Sequence, residues 1–185
     1  MAIGEAALRG LVNTIVASHC MPPGIRHRLL RWYGVKMGPA VVVRPGFILV
    51  NSDVTIGAGS VIDTGCCFDG WAPVSIGANC DIGMDVMLFT SSHRIDGHAR
   101  RAGPRRSAPI NVGDRCFIGP RATLLPGVSV AHGCIVAAGA VVVRDTLPDG
   151  LYGGVPAIRL RDLSPVPDDA RRLAANGHGP SSVSF

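Results

Sequence analysis

Aromatic residues and lysine are scarce in this chain. Phe, Trp and Tyr together make up 5% of the 185 residues, and Lys36 is the one lysine, so arginine carries almost all of the positive charge behind the net value of +5. No aromatic-plus-basic RNA signature and no recognition-helix pattern accompany the arginines. We therefore expect no nucleic-acid partner, and the charge favours an anionic small ligand or an anionic surface instead.

The sequence also lacks a secretory leader and a disulfide pattern. Residues 1–20 have no basic start, and Glu5 interrupts their apolar stretch. Cys80, Cys116 and Cys134 share one phase of a six-residue repeat, at which a small inward side chain is needed and cysteine acts as a small hydrophobe. We therefore expect a reduced, cytoplasmic protein.

Residues 1–37 are predicted to form a helical cap. Apolar residues at helical spacing place a first helix at 5–18, too short to span a membrane. Pro22-Pro23 ends this helix, and a second short helix is expected at about 24–33. We interpret both helices as a cap on the main body, with peripheral contact at the inner face of a membrane as the alternative.

From residue 38 to 163 the sequence is organised by a period of six. The first position of ten repeats is always a branched aliphatic residue: Ile56, Ile62, Ile76, Ile82, Val112, Ile118, Leu124, Val130, Val136 and Val142. Four residues later the side chain is always small or β-branched: Ser60, Cys66, Cys80, Val86, Cys116, Ala122, Val128, Cys134, Ala140 and Thr146. Three residues after the marker, most repeats have a residue type that accepts a left-handed backbone: Gly59, Gly65, Asn79, Asp85, Gly127, Gly133, Gly139 and Asp145. Arg115 and Arg121 are the exceptions.

This period indicates an all-β solenoid. An ordinary strand alternates its side chains with a period of two, and a helix repeats every 3.6 residues, so neither produces a period of six. Short strands joined by tight turns do produce it when successive coils stack about 4.8 Å apart and fill the interior with aliphatic side chains.

Two segments interrupt the repeat. Residues 68–75 shift its phase by two, and residues 94–109 form a polar excursion rich in arginine. Both are expected to project from the surface, where functional residues usually lie on a rigid scaffold. Residues 164–185 are predicted to be a polar C-terminal tail.

Four segments in a fixed order connect this chain with a known family. They are GVKMGPAVVVRPGF, the TSSH before the excursion, APINVGDRCFIGPRATLLPGVSV and VVVRDTLPDGLYGGVPAIRLR. Over residues 24–163 the chain resembles the hexapeptide-repeat acyltransferases, in particular the maltose, galactoside and cell-surface-glycan O-acetyltransferases. The resemblance implies a left-handed parallel β-helix of about five coils, a homotrimer with active sites between subunits, and acetyl-CoA as co-substrate. The handedness follows from the resemblance alone, because β crossovers are generally right-handed.

The resemblance also assigns a catalytic residue. His93 matches the family's catalytic histidine, since it follows the strand at 86–89 and directly precedes the excursion. Histidine titrates near neutrality and suits the removal of a proton from an acceptor hydroxyl. We expect the activated hydroxyl to attack the thioester directly, while a backbone N–H of a neighbouring coil stabilises the oxyanion.

A zinc site is the rival interpretation of this region. Carbonic anhydrases on the same scaffold bind zinc through three histidines, two of which have the spacing of His93 and His98. A catalytic zinc needs three protein ligands, and no histidine lies between His27 and His93. We therefore expect no metal.

The acceptor is expected to bind near the phase-shifted segment, which matches the family's sugar-binding region. There Asp69 would bind sugar hydroxyls and Trp71 would pack against a sugar ring. Asp63 is a second candidate, and Arg94 is the candidate next to His93. The five arginines of the excursion outnumber its single Asp96, which would suit an anionic acceptor such as a nucleotide-linked or phosphorylated glycan.

Coenzyme A carries a pyrophosphate and a 3′-phosphate, which require basic residues. By resemblance, Arg144 and Arg161 are those residues. The family's other basic position falls on Ile158, so that the neighbouring Arg159 is the expected substitute. The groove for the cofactor is expected to be lined by Phe117, Gly119, Ala138 and Gly139.

We therefore expect an acetyl-CoA-dependent O-acetyltransferase acting on a hydroxyl of a carbohydrate or glycan precursor. Acetylation of an antibiotic or secondary metabolite, or of an amino nucleotide-sugar, is the alternative among enzymes. A scaffold protein without chemistry is the alternative from another class.

Overall fold

The computed structural model describes residues 3–50, 53–98 and 100–163, so the predicted tail at 164–185 lies outside the described residues. Two helices open the chain, as predicted: α1 spans Ile3–Ala17 and α2 spans Pro23–Tyr33. Proline is favoured in the first turn of a helix, as in α2. The residue that caps the end of α2 is Gly34, whose φ of 111° is a left-handed conformation that glycine adopts readily. Within the described residues, no helix has the length and apolar character needed to cross a membrane.

Short strands then wind into a solenoid with three faces, and the stacked strands of each face form a parallel β-sheet. Face A contains β1 (Lys36–Met37), β4 (Val54–Ile56), β7 (Val74–Ile76), β12 (Ile110–Val112) and β15 (Ser129–Val130). Face B contains β2 (Val42–Val43), β5 (Val61–Ile62), β8 (Asp81–Ile82), β13 (Phe117–Ile118), β16 (Ile135–Val136) and β18 (Gly150–Gly153). Face C contains β3 (Ile48–Leu49), β6 (Cys67–Phe68), β9 (Met87–Leu88), β14 (Thr123–Leu124) and β17 (Val141–Val142). The predicted parallel β-helix is confirmed, with five complete coils and a sixth begun by β18.

The chain passes from face A to B to C and back, and we name the edges of this prism corners AB, BC and CA. Two additions complete the fold. An antiparallel hairpin of β10 (Ser91–Ile95) and β11 (Ala102–Ser107) projects from corner CA. The last strand, β19 (Ile158–Asp162), pairs antiparallel with β18 and closes the end of face B.

The interior follows the six-residue pattern. All ten branched aliphatic markers are at most 3% exposed, and all ten small residues that follow them are buried. Partners one coil apart are in register, as in Ile76 opposite Val112 and Ile118 opposite Val136. Stacking equivalent positions therefore builds one continuous apolar core.

The left-handed turn positions differ from expectation at three places. Arg115 and Arg121, the two exceptions to the pattern, have φ values of 58° and 59°, like the glycines at equivalent positions. The stacking of the coils thus imposes this conformation on arginine as well. Asp145 does not have a positive φ; the repeat ends there, and its carboxylate accepts a hydrogen bond from the Ser129 N–H at 2.8 Å.

A buried arginine fastens the helices to the first coil. Arg26 is 1% exposed, and its guanidinium donates to the carbonyl oxygens of Val16, Val43, Ser18 and Met21 at 2.8–3.2 Å. These acceptors belong to the end of α1, the turn before α2 and strand β2. One side chain therefore joins three parts of the chain through charge-assisted hydrogen bonds.

Replacing Arg26 by methionine should destabilise the protein, because four interior carbonyl groups lose their donor while most of the volume is kept. We expect the free energy of unfolding to fall by about 3 kcal/mol in urea titrations. Arg28→Met, which removes an exposed arginine of the same helix, should change it by less than about 0.5 kcal/mol. Equal losses in the two variants would contradict the role assigned to Arg26.

Candidate active site

The segment predicted as a polar excursion is an ordered hairpin that begins three residues earlier, at Ser91. Ser91 pairs with Ser107 and His93 with Arg105, and a bulge between His93 and Ile95 shifts the register. Directly opposed residues of an antiparallel pair share one face, so His93 and Arg105 are neighbours on the same side of the hairpin. Bulges of this kind re-aim side chains and are frequent beside active sites.

His93 is exposed, and one of its ring nitrogens is held by the opposite strand. Its Nδ1 lies 2.7 Å from the carbonyl oxygen of Gly103. A carbonyl oxygen can only accept, so Nδ1 carries the hydrogen and donates it. In the neutral ring Nε2 is then the unprotonated nitrogen, and its lone pair can accept a proton.

Gly103 is required for this contact. A Cβ at position 103 would lie 2.8 Å from the Cβ of Asp96 and 3.0 Å from the carbonyl oxygen of Arg94. The two strands can approach closely only because this residue has no side chain. The carbonyl group that orients His93 therefore depends on a glycine ten residues away in the sequence.

Asp69 lies one coil below His93 at the same corner, but its carboxylate is used within the chain. Oδ1 accepts from the N–H and the hydroxyl of Thr90, and Oδ2 accepts from the Ser91 hydroxyl at 2.8 Å and from the Ser91 N–H at 3.2 Å. Thr90 is fully buried, and its hydroxyl oxygen also accepts from the Ala72 N–H. Asp69 thus anchors the base of the hairpin, a role different from the predicted binding of sugar hydroxyls.

Trp71 contacts the hairpin from the same segment. The guanidinium carbon of Arg105 lies 3.6 Å from the centroid of the Trp71 ring, which is a close cation–π contact. One face of the Trp71 ring is therefore covered by an arginine of the hairpin, while the residue as a whole remains 43% exposed. The phase-shifted segment serves as a support for β10 and β11.

The two remaining acceptor candidates lie at different corners. Asp63 is at corner BC, where it pairs with Arg44 at 3.3 Å and accepts from the Thr64 N–H. Within one chain it is separated from His93 by face C. Arg94 follows His93 in the bulge and is exposed.

His98 does not join His93 in a common site. Its Nδ1 lies 3.0 Å from an N–H group of Arg101, and a guanidinium in that position disfavours a bound cation. Over residues 3–50, 53–98 and 100–163, no group of three or more His, Cys, Asp or Glu side chains is arranged to hold a metal ion.

The predicted cofactor residues Ala138 and Gly139 line an open groove of about 470 Å³ at corner BC. The sequence prediction missed the other lining residues, which are Met84, Asp85, Pro120 and Arg121. These occupy the same turn one and two coils below Ala138, so the six-residue period contained the signal for finding them. Gly119 packs against the turn that contains Ala138, since a Cβ at position 119 would lie 2.6 Å from the Ala138 nitrogen. Phe117 is exposed on face B.

The three predicted phosphate ligands differ in availability. Arg144 and Arg161 are exposed, and neither pairs with a carboxylate of the described residues. Arg159 donates all five of its N–H groups within the chain, to Asp162, Tyr152 and the carbonyl oxygens of residues 147–149. We therefore leave Arg159 out of the cofactor contacts and assign it to closing the end of the solenoid.

Comparisons with known proteins agree with this architecture. Residues 109–144 match the family model described as the hexapeptide repeat of succinyl-transferase. The crystal structure of a hexapeptide-repeat-containing acetyltransferase from Vibrio cholerae superposes with a TM-score of 0.79 at 30% identity, over 88% of this chain and 94% of that chain. The chain belongs to the hexapeptide-repeat acetyltransferases. Another structure of the same Vibrio acetyltransferase contains acetyl-CoA.

The chain is also similar to other proteins whose names indicate their function. Nodulation protein L of Rhizobium meliloti is 35% identical over 132 residues, which are 71% of this chain and 72% of that protein. Galactoside O-acetyltransferase of Escherichia coli is 26% identical over 163 residues, 86% of this chain and 80% of that protein. A galactoside acetyltransferase with bound coenzyme A superposes with a TM-score of 0.77 at 25% identity, over 89% of this chain and 84% of that chain. The chain spans about half to three fifths of the length of several other curated relatives.

Asp69→Ala should loosen the hairpin without unfolding the solenoid, because four donors at its base lose their acceptor. We expect amide hydrogen exchange in residues 91–107 to become at least about tenfold faster, while the strands of faces A, B and C keep their protection. Asp63→Ala removes a carboxylate at another corner and should leave hairpin exchange unchanged. Unchanged exchange in both variants would show that Asp69 is not the anchor.

Proposed function

We propose that this protein transfers the acetyl group of acetyl-CoA to a hydroxyl of a carbohydrate or glycan precursor, with His93 as the general base. The observation that carries the proposal is the hydrogen bond from His93 Nδ1 to the Gly103 carbonyl oxygen, because it leaves Nε2 as the proton acceptor. The galactoside O-acetyltransferase among its relatives supports a sugar hydroxyl as the acceptor.

The proposed reaction is a direct transfer. Nε2 of His93 removes the hydroxyl proton as the acceptor oxygen bonds to the thioester carbon. The tetrahedral intermediate then collapses, the carbon–sulfur bond breaks, and the imidazolium returns the proton to the leaving thiolate. The products are an acetyl ester and coenzyme A, and His93 regains its original tautomer through the fixed Nδ1–H.

The position of the groove supports a site shared between copies of the chain. His93 projects from corner CA, whereas Ala138 and Gly139 line corner BC on the other side of face C. A thioester bound along one chain's groove would therefore meet the imidazole of a neighbouring copy. Exposed apolar side chains on face C, such as Ile48 and Met87, suit such a contact, and we propose a homotrimer with one cleft at each interface.

His93→Ala should lower kcat by about 100-fold or more, because the acceptor hydroxyl loses its base. The rate is measured as free thiol released from acetyl-CoA in a screen of galactosides, maltose and nucleotide-sugars, with the oligomeric state checked by light scattering. His98→Ala, which removes the other hairpin histidine, should keep kcat within a factor of about two. Normal transfer by the His93 variant would end the proposed mechanism.

Ala138→Phe should weaken acetyl-CoA binding, because the new ring would fill the groove at corner BC. We expect the dissociation constant from calorimetry to rise about tenfold or more. Ala58→Phe places the same ring at the equivalent position of a turn at corner AB and should leave binding unchanged. Absence of binding heat in the unaltered protein would favour the scaffold alternative over an enzyme.

A further inference from the structure

The hairpin that carries His93 also carries an uncompensated positive charge. Among the described residues, no carboxylate oxygen lies within 4.0 Å of a nitrogen of any hairpin arginine. These residues are Arg94, Arg100, Arg101, Arg105 and Arg106. The nearby Asp69 makes no ion pair with them, and both of its oxygens accept from Thr90 and Ser91.

Arg105 is distinguished from the others by its place and its support. It pairs directly with His93 across the hairpin, so the two side chains leave the same face at neighbouring positions. Trp71 lies against its guanidinium at 3.6 Å, which restricts the side chain without using its N–H groups. Among the described residues, the Arg105 guanidinium makes no hydrogen bond or ion pair, and the residue is exposed.

A guanidinium fixed in this way is a preorganised anion site. Its planar set of donors matches a phosphate or a carboxylate, and stacking on Trp71 reduces the entropy lost when an anion binds. The adjacent imidazole requires an acceptor hydroxyl within hydrogen-bond reach of Nε2. One molecule that carries both a hydroxyl and an anionic group would contact both residues.

We propose that Arg105, supported by Trp71, is a specificity-determining residue that binds an anionic group of the acceptor. The acceptor class is then a sugar with a phosphate or carboxylate substituent, in preference to a neutral sugar. This inference rests on the proposed function, since it uses His93 to mark where the acceptor hydroxyl lies. It gives Trp71 a role besides the predicted packing on a sugar ring, namely the support of the anion-binding residue.

The test is a binding measurement on the full-length protein saturated with coenzyme A, so that added anions do not occupy the cofactor groove. Galactose, galactose 1-phosphate and galacturonate are titrated separately at constant ionic strength, and the NMR signal of the His93 ring reports occupancy. We expect at least one of the anionic sugars to bind at least about tenfold more tightly than galactose. The stronger of the two anionic ligands identifies phosphate or carboxylate as the preferred group.

Arg105→Gln should abolish that preference, whereas Arg100→Gln removes the same charge at the hairpin tip and should retain it. Trp71→Leu keeps Arg105 but removes its support and should reduce the preference in the same direction. Unchanged circular dichroism of the unliganded variants shows that each is folded. Equal binding of galactose and both anionic sugars, or equal losses in the Arg105 and Arg100 variants, would overturn the inference.

The outcomes separate this inference from the proposed function. Full acetyl transfer by His93→Ala would show that His93 is not the general base, but it would not alter the result of the sugar titrations. Transfer that depends on His93, together with equal binding of neutral and anionic sugars, would leave the proposed reaction in place and remove the role of Arg105.

Discussion

Hydrogen bonds between successive coils constrain the whole molecule. The N–H groups of Gly77, Phe117 and Thr123 each donate to a carbonyl oxygen of the next coil at 2.7–2.9 Å, and equivalent bonds recur on all three faces. A residue inserted within a strand would break this ladder, so additional residues can enter only at a corner. Both interruptions of the repeat, predicted at 68–75 and 94–109, lie at corner CA in adjacent coils, between β6 and β7 and between β9 and β12. This brings Asp69 to Thr90 and Trp71 to Arg105.

The sequence predicted the solenoid closely because each buried position is specified locally. Every marker from Ile56 to Val142 has a single class of side chain, and each is buried. The hairpin was predicted only as a projection, because Arg, Gly and Pro dominate residues 94–109 and no alternating pattern marks β11. Its order comes from contacts with Asp69 and Trp71, which lie about 20 to 34 residues earlier in the sequence. Local patterns cannot report such contacts.

The candidate site was predictable in position but not in the role of each polar residue. Ala138 and Gly139 line a groove at corner BC, and His93 lies on the hairpin that follows β9. Asp69 and Arg159, by contrast, have hydrogen-bonding groups that are already used within the chain, and Oδ1 of Asp63 pairs with Arg44. A sequence shows that a side chain can bind a ligand, whereas only the structure shows whether its donors or acceptors are available.

The distribution of acidic residues leaves part of the net charge of +5 on the hairpin that carries His93. Asp63, Asp85 and Asp149 lie within 4.0 Å of an arginine or histidine nitrogen, and Asp114 and Asp145 accept from backbone N–H groups. All five lie in the solenoid. The hairpin, with five arginines and Asp96, carries an excess of positive charge. This excess lies beside His93, where it attracts anions toward the imidazole before any specific contact forms.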